Sequence, residues 1–567
     1  MRIPSGNPLA DDGGMTDNRA ASHDGTATAD TVFTGGTVLT VDEDFSTAEA
    51  VAVAGGRILR VGTRAEVLAL AGPHTETVDL AGAALLPGFI EAHGHPTGEM
   101  VMAGPDSVDL RASVCPTAEA VLTKLRAAVD AAPSDGWVAA SGWDPLLLSD
   151  LPTLSRALLT ELSPRVPLSV MHYSGHAAWA NDAAMERLGI TRDTPDPAGS
   201  VYVRDADGEP TGEGREYPAA GVIMGPGRLV PQGEFGPRLE AALRISAAAG
   251  VTMTGDLAFS PAAESTVREY FAAGTAPVRM RSYEISGIRD TIPRAEETDP
   301  FFRPVGVKIW SDGSPWVGNI ATSFTYQGGH AADVIGVSEG HRGCSNYTSE
   351  QLLELCRRYM VQGWQVACHV HGDVAVDEVL DVYETVLGEN PGTEFRLRME
   401  HCGSITPEQV RHAHGLGVTI SFFPAHIHYY GEVLREFFGE RADAWVPAGA
   451  AEECGMRFSL HNDPPVTPEN PLLNMQTAID RTTRNGMVLG AEYGVSVREA
   501  IRAQTIHAAW QLHSEHEAGS IEPGKLADFV LLSDDPTRVD PGGIGAIRVL
   551  GTWVAGRQVT GGAPVRR

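Results

Sequence analysis

The sequence predicts an α/β protein: a (β/α)8 TIM barrel carrying a small composite β-sandwich formed by both chain ends. Three observations point there. Short segments alternating apolar and polar residues stand at both ends of the 567-residue chain. Strand and helix patterns alternate through its middle. Residues able to bind a metal or move a proton stand at the C-terminal ends of successive strand segments.

Residues 1–30, rich in Gly, Asp, Ser and Ala, lack the apolar core of a signal peptide and read as a disordered tail. Residues 31–86 form the first part of the sandwich. Segments such as ADTVFTGGTVLTVD and AEAVAVAGGRILRVG alternate with period two, with turns at Gly35-Gly36 and Gly55-Gly56. The same texture returns in residues 516–567, in ADFVLLSDDP and IRVLGTWVAGRQV. One sandwich shared by both ends is the economical reading, and two separate β domains are the alternative.

Residues 87–515 read as the barrel. Its strand segments are LLPGFIEAHG, GVTMTGD, VRMRSYEI, VGVKIWSDG, WQVACHVHGD, FRLRMEHCG, VTISFFP and MRFSLHND. Helical patterns lie between them, among them SEQLLELCRRYMVQG and AVDEVLDVYETVLG. Such alternation implies parallel strands with right-handed crossovers, and about eight units close a barrel. The surplus strand segments WVAAS and PLSVMHY fall within about 100–235, which reads as an insertion with Gly/Pro-rich loops.

A formal net charge of −30 opposes binding to nucleic acid or an anionic membrane surface, which need a basic patch. Six cysteines at 115, 344, 356, 368, 402 and 454 form no Cys-X-X-Cys pair, so the chain is expected in a reducing compartment, the cytoplasm. No apolar run is long enough to span a membrane. Partners are therefore a small molecule and, as an open possibility, a second copy in a homodimer.

His93 and His95 end the apolar run of the first barrel strand. Positions i and i+2 of a strand share a face, so the two imidazoles suit one metal ion. Taken alone they are equally a pair of loop histidines beside Gly94 and Pro96. Lys308, His369, His401 and Asp463 stand at the ends of later strands. Strand C-termini share one face of a parallel barrel, and active sites form there. Such a cluster holds one or two divalent ions with a position left for water. Lys308 inside an apolar run is costly unless paired, with Asp312 for example, or altered to a carbamate.

These pieces resemble the amidohydrolase superfamily, in particular its YtcJ-like branch that includes N-substituted formamide deformylases. The matching motifs are LPGFIEAHGHP, SGHAAWAN, VKIWSDGS, HVHGDVAVD, RMEHCGSITPEQV, HNDPPVTPENPL and GSIEPGKLADFVLL. The resemblance implies that His93, His95, Lys308, His369, His401 and Asp463 are metal ligands, with zinc the expected ion and Lys308 carboxylated. It aligns His369 rather than His371 as the ligand of its motif. Asn462 stands before Asp463 where many relatives carry serine.

The expected reaction is hydrolysis of a non-peptide C–N bond, amide or formamide-like, by metal-bound hydroxide. Asp463 acts as general base and then acid, with His401 at the metal. His176, His426 and His428 are candidate donors to the oxyanion. Trp143, Trp310, Trp316, Phe423, Tyr429 and Tyr430 are the expected aromatic walls for an apolar or aromatic N-substituent. Deaminases of the superfamily carry glutamate three residues after the strand-five histidine; here that position is Gly372. Deamination, cyclic amide or imide hydrolysis, a lyase reaction and a non-catalytic paralogue are the competing expectations.

Overall fold

The structure is a computed structural model that describes residues 28–102, 108–228, 230–293 and 299–561. The expected tail lies outside the described residues up to position 27, and a strand already begins at Ala29.

Eight strands run parallel in one sheet: β1 (Phe89–Gly94), β2 (Val251–Phe259), β3 (Arg279–Ile285), β4 (Phe302–Trp310), β5 (Gln365–Val370), β6 (Arg398–His401), β7 (Thr419–Phe422) and β8 (Ser459–Leu460). Their order in space is their order in the chain, as right-handed βα units dictate. At the seam between β8 and β1, Glu91 accepts from the Asn462 backbone N–H at 3.0 Å and its side-chain amide at 2.9 Å. The sheet is a nearly closed (β/α)8 barrel.

The helices between the strands are set by their caps. Ser349–Met360 and Pro407–Gly415 both start with a capping box, Thr348 with Gln351 and Thr406 with Gln409. Their apolar stripes, such as Leu352, Cys356, Tyr359 and Met360, bury against the outer barrel face.

The chain ends meet in a second sheet. Strand Phe529–Leu532 pairs antiparallel with Ala84–Pro87, and the strands of residues 29–79 and 549–561 complete it. Gly88 then carries the chain directly into β1. A Cβ there would lie 2.2 Å from the Thr252 side chain, so β1 and β2 can approach only over a glycine. Buried Arg279 of β3 grips Asp528 through Nε at 2.7 Å and Nη2 at 3.0 Å, tying the end sheet to the barrel.

The insertion builds a six-stranded sheet of its own from residues 108–215. Its strands Val138–Trp143 and Leu168–His172 are the surplus segments of the sequence, and they stand apart from the barrel sheet. This sheet and the helix Tyr217–Met224 bring residues over the barrel mouth.

Candidate metal centre and active site

The mouth of the barrel is a ring of imidazoles. His93 Nδ1 lies 2.6 Å from Glu400 Oε2, and Arg398 pairs with the same glutamate. A carboxylate accepts, so Nδ1 carries the proton and Nε2 faces the centre as a lone pair. This is the carboxylate–histidine support that metal-binding imidazoles use. His93 Nε2 is 3.3 Å from Lys308 Nζ and 3.6 Å from Asp463 Oδ1, and His95 Nε2 is 3.0 Å from Asp463 Oδ1.

The register places the others. Lys308 stands on β4 opposite Ala367, Trp310 opposite His369, and Val370 opposite His401. His401 Nδ1 lies 4.0 Å from Asp463 Oδ2 and 3.0 Å from His461 Nε2. His369 uses Nε2 on the Gly313 carbonyl at 2.9 Å, which leaves Nδ1 for the cluster. Three overlapping groups have donor atoms within 4.8 Å of one another: His93, His95 and Asp463; His93, His401 and His461; His369, His371 and His401.

Burial sets the protonation of this ring. It holds His93, His369, His371, His401, His426 and His461 well below the usual imidazole range, so they are neutral, the form that ligates. Burial also pulls the Lys308 ammonium down to about 8, against the opposing pull of Glu400 and Asp463. Asp312 does not pair with Lys308. It accepts from the backbone N–H groups of His371 and Gly372, both at 2.8 Å.

The donor set fits a divalent ion. His95 Nδ1, His371 Nδ1 and His426 Nδ1 are buried without a hydrogen-bond partner, and Asp463 Oδ1 meets only the His93 and His95 imidazoles, in no well-formed hydrogen bond. An acceptor oxygen and several imidazoles left so would cost about 1–3 kcal/mol each unless a ligand completes them. His401 (φ 70°), Cys402 (φ 49°) and Asp463 (φ 55°) lie in the left-handed region, as does Glu216 (φ 66°). Such strain at residues that line or support a cavity is consistent with a functional site.

A cavity of about 330 Å³ opens above this ring. His93, His95, Lys308, His369, His401 and Asp463 form its floor, and His176, Trp310, Tyr173 and Tyr217 stand in its walls with Met100 and Met171. Of the aromatics singled out in the sequence, only Trp310 lines it. Trp143 and Trp316 border a separate cavity of about 200 Å³. Tyr430 is buried with its hydroxyl on Asp144 at 2.8 Å, and Trp316 donates to His426 Nε2 at 3.2 Å. Phe423 packs against His401, His426 and His461 behind the floor. His428 and Tyr429 are half-buried on the helix Ala425–Phe438, outside the cavity. Trp143 packs into the insertion's own core, and Trp316 and Tyr430 into the main core, rather than into the cavity. The insertion supplies the cavity lining instead.

Sequence reasoning missed His461, Glu400 and Glu216. His461 stands two residues before Asp463, a His-X-Asp spacing that resembles His93-Gly-His95 and could have been read the same way. His371 stacks on His401 with ring centres 4.9 Å apart. His176 directs Nδ1 to Glu216 Oε2 at 2.7 Å.

Comparison with known proteins agrees with this geometry. A family model described as "Amidohydrolase family" matches residues 76–560. An N-substituted formamide deformylase of Arthrobacter pascens is 30% identical over 92% of this chain and 96% of its own. The putative amidohydrolase YtcJ of Bacillus subtilis is 26% identical over 93% of this chain and 99% of its own. A solved structure titled as an uncharacterized metal-dependent hydrolase from Pyrococcus horikoshii superposes with a TM-score of 0.69 at 22% identity, covering 90% of this chain and 99% of that one.

Proposed function

The chain belongs to the amidohydrolase family, hydrolases acting on carbon–nitrogen bonds, and on that premise we propose that it hydrolyses a small N-substituted amide or formamide. The observation that supports this most is Asp463. It is buried and strained, its Oδ1 lies 3.0 Å from His95 Nε2 and 3.6 Å from His93 Nε2, and it stands with Lys308 on the floor of a cavity walled by Trp310, Tyr173, Tyr217, Met100 and Met171.

His93, His95, Lys308, His369, His401 and Asp463 are the residues that would hold one or two divalent ions, zinc being the best match to nitrogen and carboxylate donors. Such an ion supplies polarisation of the scissile carbonyl and acidification of water. Burial lowers Lys308 to about 8, which raises the fraction of free amine able to take up carbon dioxide and become a carbamate ligand. Asp463 accepts a proton from the attacking water and returns it to the departing nitrogen. The apolar walls hold the nitrogen substituent and exclude bulk water.

Amide hydrolysis is favoured over deamination by Gly372. A Cβ at this position would meet the Ala321 carbonyl oxygen at 1.9 Å, so no acidic side chain can be carried there. The next residue, Asp373, opens a helix and turns its carboxylate to Ser323, accepting from that backbone N–H at 2.8 Å, and it does not line the cavity.

A screen of formanilides, N-acyl amines, lactams, cyclic imides and aminopurines tests the reading. Amine release from formanilides at a rate well above the others is expected. Ammonia release from aminopurines with no amine release from any amide would overturn it.

A further inference from the structure

His176 and Glu216 form a second functional unit, supplied wholly by the insertion. Both are buried, at 8% and 3% exposure, yet His176 stands in the cavity wall with its ring centre 4.7 Å from that of His369. Glu216 Oε2 takes His176 Nδ1 at 2.7 Å, and Oε1 takes the Asn319 side-chain amide at 2.5 Å. Both oxygens therefore accept, which places a proton on Nδ1 of the imidazole. Nε2 stands on the edge of the ring turned away from Glu216.

The surroundings are arranged to keep that carboxylate in place. Glu216 holds φ 66°, and its backbone N–H donates to the His176 carbonyl at 2.8 Å. A Cβ on Gly313 would fall 2.2 Å from Glu216 Oε1, so only glycine admits the carboxylate against the loop after β4. The next residue, Tyr217, stacks on Trp310 with centres 5.3 Å apart and planes 4° from parallel. The imidazole acceptor and the flat aromatic wall are thus set side by side by consecutive residues.

That adjacency has a chemical reading. In a secondary amide the nitrogen bears both the apolar substituent and an N–H. His176, Tyr217 and Trp310 line the same cavity, so one substrate can meet all three. We propose that His176, positioned by Glu216, accepts the N–H of the substrate, so that the site selects secondary over tertiary amides. Glu216 is a positioning residue and His176 a specificity-determining one. The inference rests on the amide-hydrolase reading above.

The test compares formanilide with N-methylformanilide on the metal-loaded enzyme. The wild-type kcat/KM ratio should favour the secondary amide by about tenfold or more, the worth of one buried hydrogen bond. In His176→Phe the ratio should fall toward unity. In Glu216→Gln, where one of the two donors faces an amide NH2, it should fall several-fold. The double variant should be no worse than His176→Phe alone, since Glu216 acts through His176. A merely structural role would lower both substrates equally and add to the loss in the double variant. An unchanged ratio in His176→Phe, with metal content and melting as in the wild type, would overturn the proposal. If the wild type hydrolyses neither compound, the aryl-formamide reading falls by itself. Equilibrium binding of acetanilide against N-methylacetanilide then decides the inference: a preference for acetanilide that His176→Phe abolishes upholds it, and equal binding by the wild type refutes it.

Discussion

Glu400→Gln probes the support beneath His93, a proposed metal ligand. Glu400 has no exposed surface and sits between His93 Nδ1 at 2.6 Å and Arg398, whose Nη2 is 2.9 Å away and Nε 2.8 Å away. Glutamine keeps the shape but removes the charge and turns one acceptor into a donor. Either His93 or Arg398 then faces an NH2 group, and the Arg398 guanidinium loses its buried counter-ion. Removing one partner of such a pair costs about 3–5 kcal/mol. Losing the acceptor that orients a metal-binding imidazole lowers metal affinity about 10–100-fold. Denaturant unfolding of the metal-free protein measures the first, and competition with a chelator of known affinity measures the second. Wild-type stability together with wild-type metal affinity in Glu400→Gln would refute the argument that this glutamate supports His93.

Further outcomes follow from other sites. Asp463→Asn should lower amide hydrolysis by about 10²–10⁴-fold, the range for a general acid–base group, with steady-state amine release as the readout. Burial holds the His172 imidazole down to about 3. The unfolded chain therefore binds that proton first, and stability falls as pH drops from about 6.5 towards 3. His172→Gln should flatten that slope in pH-dependent unfolding, and an identical slope would remove His172 as a contributor. Burial pushes the Asp144 carboxyl up to about 6 even with the Tyr430 hydroxyl donating to it. Tyr430→Phe should cost about 1–3 kcal/mol at pH 7, with the deficit shrinking as pH falls through 6 and the carboxyl protonates. Gly313→Ala, which would place Cβ 2.2 Å from Glu216 Oε1 and 2.7 Å from the Asn319 carbonyl, should cost about 1–3 kcal/mol in thermal or chemical unfolding.

The barrel was legible because most strands are short apolar-rich runs separated by helical patterns, and because reactive side chains recur at their ends. His93, His95, Lys308, His369, His401 and Asp463 all come together at one mouth for that reason. The supporting residues were not legible. Glu400 stands beside His401 in the strand, and nothing local says that it reaches His93, 307 residues away in the chain. Glu216 meets His176 only because two distant parts of the insertion fold together. The aromatic wall was misplaced for a related reason: position at a strand end does not say whether a ring turns into the cavity or behind it. Trp143, Trp316 and Tyr430 turn away from the cavity, whereas Tyr173 and Tyr217 line it.

The central claim is that the floor of this cavity works through a bound divalent ion. Metal content and formanilide hydrolysis measured on the same samples, during chelation and then stepwise return of zinc, test it most directly. Activity should vanish with the metal and return in proportion to the zinc bound. Full activity in protein stripped of metal would contradict the account.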